Sequence, residues 1–351
     1  MPDRFVLVLA GGRGERFWPW SRPERPKQLL PLARDGRSLL ASTLARAQRL
    51  APAGRIVVLT AADLVDATRA ECPPGVRVIG EPVGRNTAPA IGAAAVLFAA
   101  EQADATFAVL PSDHAIDDVD AFAADFERAF AAAEREPVLL TFAIPATAAE
   151  TNFGYLKRGA RVADRLFRVA AFTEKPDAAR AEAWLASGDY AWNSGMFAWR
   201  ARTFLDALEA GRPEIARPLR SMRWEGGDAG FVRALNAVFP GLEKVSVDYA
   251  VLESAPNALM LEAAFDWDDL GSWSAWARRQ PHDARGNVVH GDALALDCDD
   301  CIVVGDGGTA AALGLSGMIV VHAGGATLTC PRSISQEVRR VGDAVKERNR
   351  R

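Results

Sequence analysis

The chain has 351 residues, 49% apolar and 25% charged, with a formal net charge of −4. That balance belongs to a folded globular protein with one large core, or a main domain and a smaller one, and not to a disordered chain. The acidic excess excludes a surface built to coat nucleic acid, no run of about 18 uncharged apolar residues offers a membrane span, and the short amino-terminal apolar run has no signal-peptide cleavage site.

Phe5 to Leu9 (FVLVL) is a short apolar run that predicts a buried parallel strand. Through Leu9 and Ala10 it enters Gly11, Gly12 and Gly14, with Arg13 and Arg16 alongside. Glycines accept positive φ and let consecutive N–H groups converge on an anion. Arginines add forked positive charge suited to phosphate oxygens. Lys27 follows in a segment that Pro23 and Pro26 keep out of helix. Only five of the 41 basic residues are lysines, so one placed here stands out. The loop is neither a P-loop, which needs Gly-Lys-Ser/Thr, nor a dinucleotide fingerprint, because Phe17 stands where a third glycine belongs.

Further on, strands predicted over 55–60, 76–79, 106–110 and 138–144 alternate with helices from 39 to just before Pro52 and over 61–71, 86–102 and 121–136, Ser38 capping the first. Such alternation predicts parallel βαβ units with helices on both faces and ligands at the carboxyl ends of the strands. The third strand ends in Gly80 to Pro89, which offers Glu81 as an acceptor, Arg85 as a cation and Asn86 as a donor or helix cap. The fourth ends in Pro111-Ser112-Asp113-His114, where a carboxylate can hold a divalent ion shared with phosphates. A second carboxylate is available in Phe265-Asp266-Trp267-Asp268-Asp269-Leu270-Gly271; the residues themselves leave Asp266, Asp268 and Asp269 equivalent. Beyond residue 146, Asn152-Phe153-Gly154, Thr173-Glu174-Lys175 and Trp192-Asn193-Ser194-Gly195 are polar loop or strand-end segments. One helix is predicted over 203–220 and another over 231–238; Asp248 and Tyr249 are expected to pack, with support of the site as the alternative. From Gly286 to Pro331 short valine-rich strands predict a small all-β unit. In the segment from Ser333 on, Ile334, Val338, Val341 and Val345 share one helical face. The four cysteines form no disulfide framework, and Cys298-Asp-Asp-Cys301 is expected to be two ordinary cysteines; the default location is cytoplasmic.

Leu9 to Pro19 (LAGGRGERFWP) followed by Pro26-Lys27-Gln28 resembles the signature of the sugar-phosphate nucleotidyltransferases, and most closely that of mannose-1-phosphate guanylyltransferases. Glu15 replaces the family's usual threonine. The resemblance implies the Rossmann-like nucleotidyltransferase fold, with a mostly parallel or mixed sheet covered by helices on both faces, over residues 1–280. It implies a small carboxy-terminal β-rich domain, like a left-handed β-helix, over 281–351, used in a homodimer. It implies one activity, transfer of GMP from GTP to α-D-mannose 1-phosphate with Mg²⁺, and no nucleic-acid or membrane partner. By resemblance Leu9 to Gly14, Glu81, Arg85 and Asn86 hold the nucleotide, and Arg16 and Lys27 are catalytic. Asp113 and Asp269 form the metal pair, and Gly154, Glu174, Lys175 and Asn193 hold the sugar phosphate. Alternatives are UTP, dTTP or ATP with glucose 1-phosphate, or a silent regulatory subunit. A glycosyltransferase lacks its Asp-x-Asp at a strand end in the first half.

Overall fold

The computed structural model describes residues 4–12 and 14–350, except for the side chains of residues 15, 349 and 350; Arg13, expected in the phosphate loop, lies outside the described residues. Contacts divide the chain into two units, the first 1–11, 43–112 and 116–267, the second 12–42, 113–115 and 268–351.

The first unit is a nine-stranded sheet with helices. Its strands and helices in order are β1 (Arg4–Leu9), α1 (Leu39–Ala47, whose first residues belong to the second unit), β2 (Ile56–Ala61), α2 (Val65–Ala70), β3 (Arg77–Glu81), α3 (Thr87–Glu101), β4 (Thr106–Pro111), α4 (Val119–Arg135) and β5 (Leu139–Pro145). There follow β6 (Gly154–Ala163), β7 (Leu166–Glu174), α5 (Ala178–Ser187), β8 (Tyr190–Arg200), α6 (Ala201–Gly211), α7 (Pro213–Ser221), α8 (Gly227–Val238) and β9 (Ala258–Glu262). The strand order is β3-β2-β1-β4-β8-β5-β9-β7-β6. β1 sits between β2 and β4, parallel to both, with Val8 opposite Val58 on one side and Leu110 on the other. Its Phe5 to Val8 are buried, as a strand covered on both faces requires.

The sheet is mixed, as the resemblance implies: β8 enters antiparallel between β4 and β5. Its buried run Met196, Phe197, Ala198 and Trp199 points to both faces, so it is satisfied only in the middle of a sheet. The single helix expected over 203–220 is two, because Pro213 opens α7 where its missing N–H costs no hydrogen bond. α3 is buried at ten positions from Ala88 to Phe98, and its core partners include Phe5, Leu208 and Leu219.

The second unit holds α9 (Trp273–Arg278), β10 (Val288–Leu296), β11 (Ile302–Leu313), β12 (Met318–Ala323), β13 (Ala326–Pro331) and α10 (Val338–Arg350). β10, β11 and β12 run parallel in sequence order with no helix between them, and β13 closes antiparallel on β12. That is a short β-helix-like coil, as expected. Its core joins Phe17, Trp20, Leu30, Trp273 and Trp276 to Ile302, Ile319 and Val338. Cys298 and Cys301 are buried free thiols donating to main-chain carbonyls. The apolar face expected from Ile334 to Val345 does not hold together. Ile334 has non-helical φ/ψ in a kink before α10, and it and Val341 are exposed while Val338 is buried. Among the described residues no helix is long and apolar enough to cross a membrane.

Candidate active site

In the second unit a cavity of about 500 Å³ is lined by Gly14, Arg16, Phe17, Lys27, Asp113, His114, Asp269, Leu270, Gly271 and Arg339. Lys27 opens a 3-10 turn after Pro26 and is only 6% exposed. Its Nζ donates to Asp113 Oδ2 at 2.9 Å and to the main-chain oxygen of Asp269 at 2.5 Å. Gly14 makes this approach possible: at φ +57° a methyl there would stand 2.2 Å from Lys27 Cβ and 2.6 Å from Lys27 N. Gln28 Nε2 donates to the Gly12 carbonyl and ties the lysine segment to the loop.

Electrostatics separates the two carboxylates. Burial raises the Asp113 carboxyl, but the Lys27 charge, helped by His114, more than offsets this and holds it below the ordinary value. Asp269 is raised, first by burial, with Asp268 and Asp113 adding repulsion and Lys27 opposing. The three acids that the sequence left equivalent also part company. Asp266 Oδ1 accepts the N–H groups of Asp117 and Asp118, and Asp268 pairs with Arg278 and accepts the Leu270 N–H. Only Asp269 lines the cavity, its Oδ1 accepting from Gly271 N.

In the first unit the carboxyl end of β3 carries Glu81, 8% exposed, with Oε2 3.7 Å from where a methyl on Gly11 would be. Burial pushes its carboxyl to about 8. The Arg85 guanidinium donates to the Pro240 carbonyl. Asn86, at φ +68°, caps α3 by accepting from Thr87 N. Leu9 and Ala10 are held by main-chain bonds, Ser112 N to Leu9 O and Ala10 N to Leu59 O.

A second cluster of this unit gathers Gly154, Glu174 and Asn193. Gly154 pairs with Glu174 across β6 and β7, and a methyl on it would stand 2.5 Å from Glu174 Oε2 and 3.4 Å from Asn193 Cβ. Lys175 Nζ donates to Glu174 Oε1 at 2.6 Å with its side chain mostly exposed. Asn193 is oriented: Oδ1 accepts from Thr141 Oγ1 and Gly195 N, and Nδ2 donates to Asp248 Oδ1 at 3.0 Å. One Nδ2 hydrogen remains for a ligand. Asp248, expected to pack or to support the site, opens a one-turn π-helix whose preceding Val247 N–H is held by Thr87 Oγ1. Burial, then the Glu174 charge, raises its carboxyl to about 6. Tyr249 is exposed. No local pattern shows that Asp248 meets Asn193, because the two lie 55 residues apart in the chain.

Comparisons with known proteins show the family. The family model "Nucleotidyl transferase" matches residues 5–286, and "MannoseP isomerase/GMP-like beta-helix domain" matches residues 291–345. The chain is 40% identical over 355 residues to the xanthan biosynthesis protein XanB of Xanthomonas campestris pv. campestris, spanning 100% of this chain and 75% of that protein. It is 36% identical over 358 residues to an Escherichia coli mannose-1-phosphate guanylyltransferase, spanning 98% and 74%. A crystal structure described as a mannose-1-phosphate geranyltransferase from Thermus thermophilus superposes with a TM-score of 0.87 at 34% identity, covering 98% of this chain and 99% of that one. The chain therefore belongs to the nucleotidyl transferase family, is an enzyme, and stands with the relatives called mannose-1-phosphate guanylyltransferases.

Proposed function

We propose that the chain transfers GMP from GTP to α-D-mannose 1-phosphate, giving GDP-mannose and pyrophosphate. A phosphate oxygen of the sugar phosphate forms the new bond to the α-phosphorus of GTP. The bond from that phosphorus to the β-bridging oxygen breaks, and its electron pair leaves on pyrophosphate. A sugar phosphate has its second pKa near 6, so it is an anion at pH 7 and needs no general base. The observation that carries this reading is the cavity holding Lys27, Arg16, Asp113 and Asp269 together beside Gly14. That is a phosphate pocket, with fixed cations and a glycine-turned backbone facing charge that develops on the leaving group.

Two hard oxygen donors in one cavity, Asp113 kept ionised by Lys27, fit Mg²⁺. Among the described residues no cluster of three or more metal-ligating side chains exists, so substrate phosphates and water would complete the shell. Asp113 and Asp269 would hold the ion, which when bound supplies neutralising charge to the phosphates. Lys27 and Arg16, with the N–H groups of Gly11 to Gly14, take the oxygens of departing pyrophosphate. Glu81 and Asn86 read the guanine edge, Glu81 accepting the N1–H and N2–H₂ donors; Arg85 belongs to the same nucleotide segment. Lys175 meets the sugar's phosphate, Glu174 and Asn193 its hydroxyls, and the Gly154 N–H positions the ring.

The reading includes a homodimer through the β-rich carboxy-terminal domain, supported by the exposed Leu294, Leu296 and Leu313 on β10 and β11. It places the enzyme in the cytoplasm, in keeping with its four free cysteines. Pyrophosphate release measured across a grid of nucleoside triphosphates and hexose 1-phosphates tests the substrate pair. GTP with mannose 1-phosphate should exceed every other pair. Faster release from UTP, dTTP or ATP with glucose 1-phosphate replaces the reading, and no release from any pair leaves a regulatory binder.

A further inference from the structure

Among the described residues, Arg339 is the one lining residue of the 500 Å³ cavity that lies more than 60 residues from the glycine loop, Asp113 and Asp269 in sequence. It sits in the first turn of α10, and its position is set by packing on both sides. Val338, the preceding residue, is buried in the core that contains Phe17. Gly342, three residues on, lies close enough to the segment after the loop that a methyl on it would be 3.6 Å from Trp18 Cδ1. One turn along, Asp343 Oδ2 stands 3.6 Å from Arg339 Nε, an ion pair open to solvent.

The charges of the cavity show what it can do. Among the described lining residues, Lys27, Arg16 and Arg339 are the arginine and lysine cations, Asp113 and Asp269 the carboxylates. Lys27 is paired with Asp113. The two guanidinium groups bring forked donors, and a planar fork binds phosphate oxygens in pairs where an ammonium cannot. Resting on the reading of this cavity as the triphosphate pocket, we propose that Arg339 contacts the terminal phosphates of the nucleoside triphosphate and, in reverse, pyrophosphate. The carboxy-terminal helix thereby completes the catalytic pocket.

The test uses full-length Arg339→Ala and Arg339→Lys. Its readouts are calorimetric binding of pyrophosphate alone, KM for pyrophosphate in the reverse reaction, KM for mannose 1-phosphate, and Tm. Arg339→Ala should weaken pyrophosphate binding and raise its KM by about ten- to a hundredfold, the loss expected for a charge-assisted hydrogen-bonded pair. KM for mannose 1-phosphate should stay within about twofold of wild type, and Arg339→Lys should recover part of the loss by restoring charge without the fork. Pyrophosphate binding in Arg339→Ala within about twofold of wild type overturns the proposal, as does a fall in Tm with both KM values raised alike. Failure of the wild-type protein to bind pyrophosphate or turn over any substrate pair overturns the underlying reading and this proposal with it. Intact wild-type binding with an indifferent variant overturns this proposal alone.

Discussion

Lys27 Nζ lies 2.9 Å from Asp113 Oδ2, joining residues 86 positions apart in the chain. The lysine side chain is nearly buried while the aspartate is more than a third exposed, so one end of the pair faces the cavity and the other anchors it. Lys27→Ala removes this anchor and a fixed cation at once. It should lower kcat by roughly two powers of ten, as loss of preorganised charge usually does. The Asp113 carboxyl, without the Lys27 charge, should move up from its depressed value. Its present contribution to stability lies above the ordinary carboxylate pKa and is lost as pH falls through the folded value; the variant should lose that contribution. Unchanged turnover would remove Lys27 from the mechanism.

The three neighbouring acids should separate in kinetics as they do in space. Asp269→Asn lowers kcat by roughly two powers of ten and weakens the dependence on divalent ion. Asp266→Asn and Asp268→Asn act on Tm instead, because their carboxylates hold the 117–118 turn and Arg278. Kinetics at varied Mg²⁺ with thermal unfolding decide it, and equal kinetic loss from all three would contradict the assignment.

Gly14→Ala puts a methyl 2.2 Å from Lys27 Cβ at a left-handed φ. The conformation alone costs about 1–2 kcal/mol for a residue with a Cβ, and the clash pushes the lysine segment off the loop. Both Tm and kcat should fall, and a variant with wild-type kcat would show that the close approach is dispensable.

Nucleotide affinity should depend on pH through Glu81. Its carboxyl, raised to about 8 by burial, is neutral at pH 7 in the nucleotide-free protein, whereas accepting from guanine N–H donors requires the anion. kcat/KM for GTP should therefore rise with pH until about 8 and level off, and Glu81→Gln should abolish the rise. The sign for stability is opposite. A raised folded pKa contributes stability below the ordinary value that is lost as pH climbs to about 8, so unliganded protein should lose Tm over that range and Glu81→Gln should not. A GTP profile flat from pH 6 to 9 in the wild type would contradict the role.

Asp248 and Lys175 test the sugar cluster. Asp248→Ala strips the acceptor that orients Asn193 and should raise KM for mannose 1-phosphate several-fold, by the usual worth of about 1 kcal/mol for such a bond. Asp248→Asn keeps an acceptor and should be milder, while losing any inflection near pH 6 that belongs to this carboxyl. Lys175→Ala should raise the same KM; an unchanged value would leave Lys175 as the surface partner of Glu174.

What could be read in the chain was whatever a short segment must satisfy by itself. The glycine loop, the strands around it and the acid after β4 are local requirements, and Ser38 does cap α1 through Ala41 N. What could not be read rests on partners distant in sequence. β8 finds its slot only against β4 and β5. Asp248 meets Asn193 across 55 positions of the chain, and Arg339 reaches the cavity only because Val338 and Gly342 place α10. Ile334 misled because helical periodicity does not reveal the kink that takes it off the face.

Product formation from GTP and mannose 1-phosphate by the wild type and by Asp113→Asn tests the central claim most directly. The account predicts GDP-mannose and pyrophosphate in equal amounts from the wild type, only with a divalent ion, and roughly a hundredfold less from the variant, whose Tm falls because Lys27 loses its anionic partner. Absence of product from the wild type, or undiminished turnover in Asp113→Asn, would contradict it.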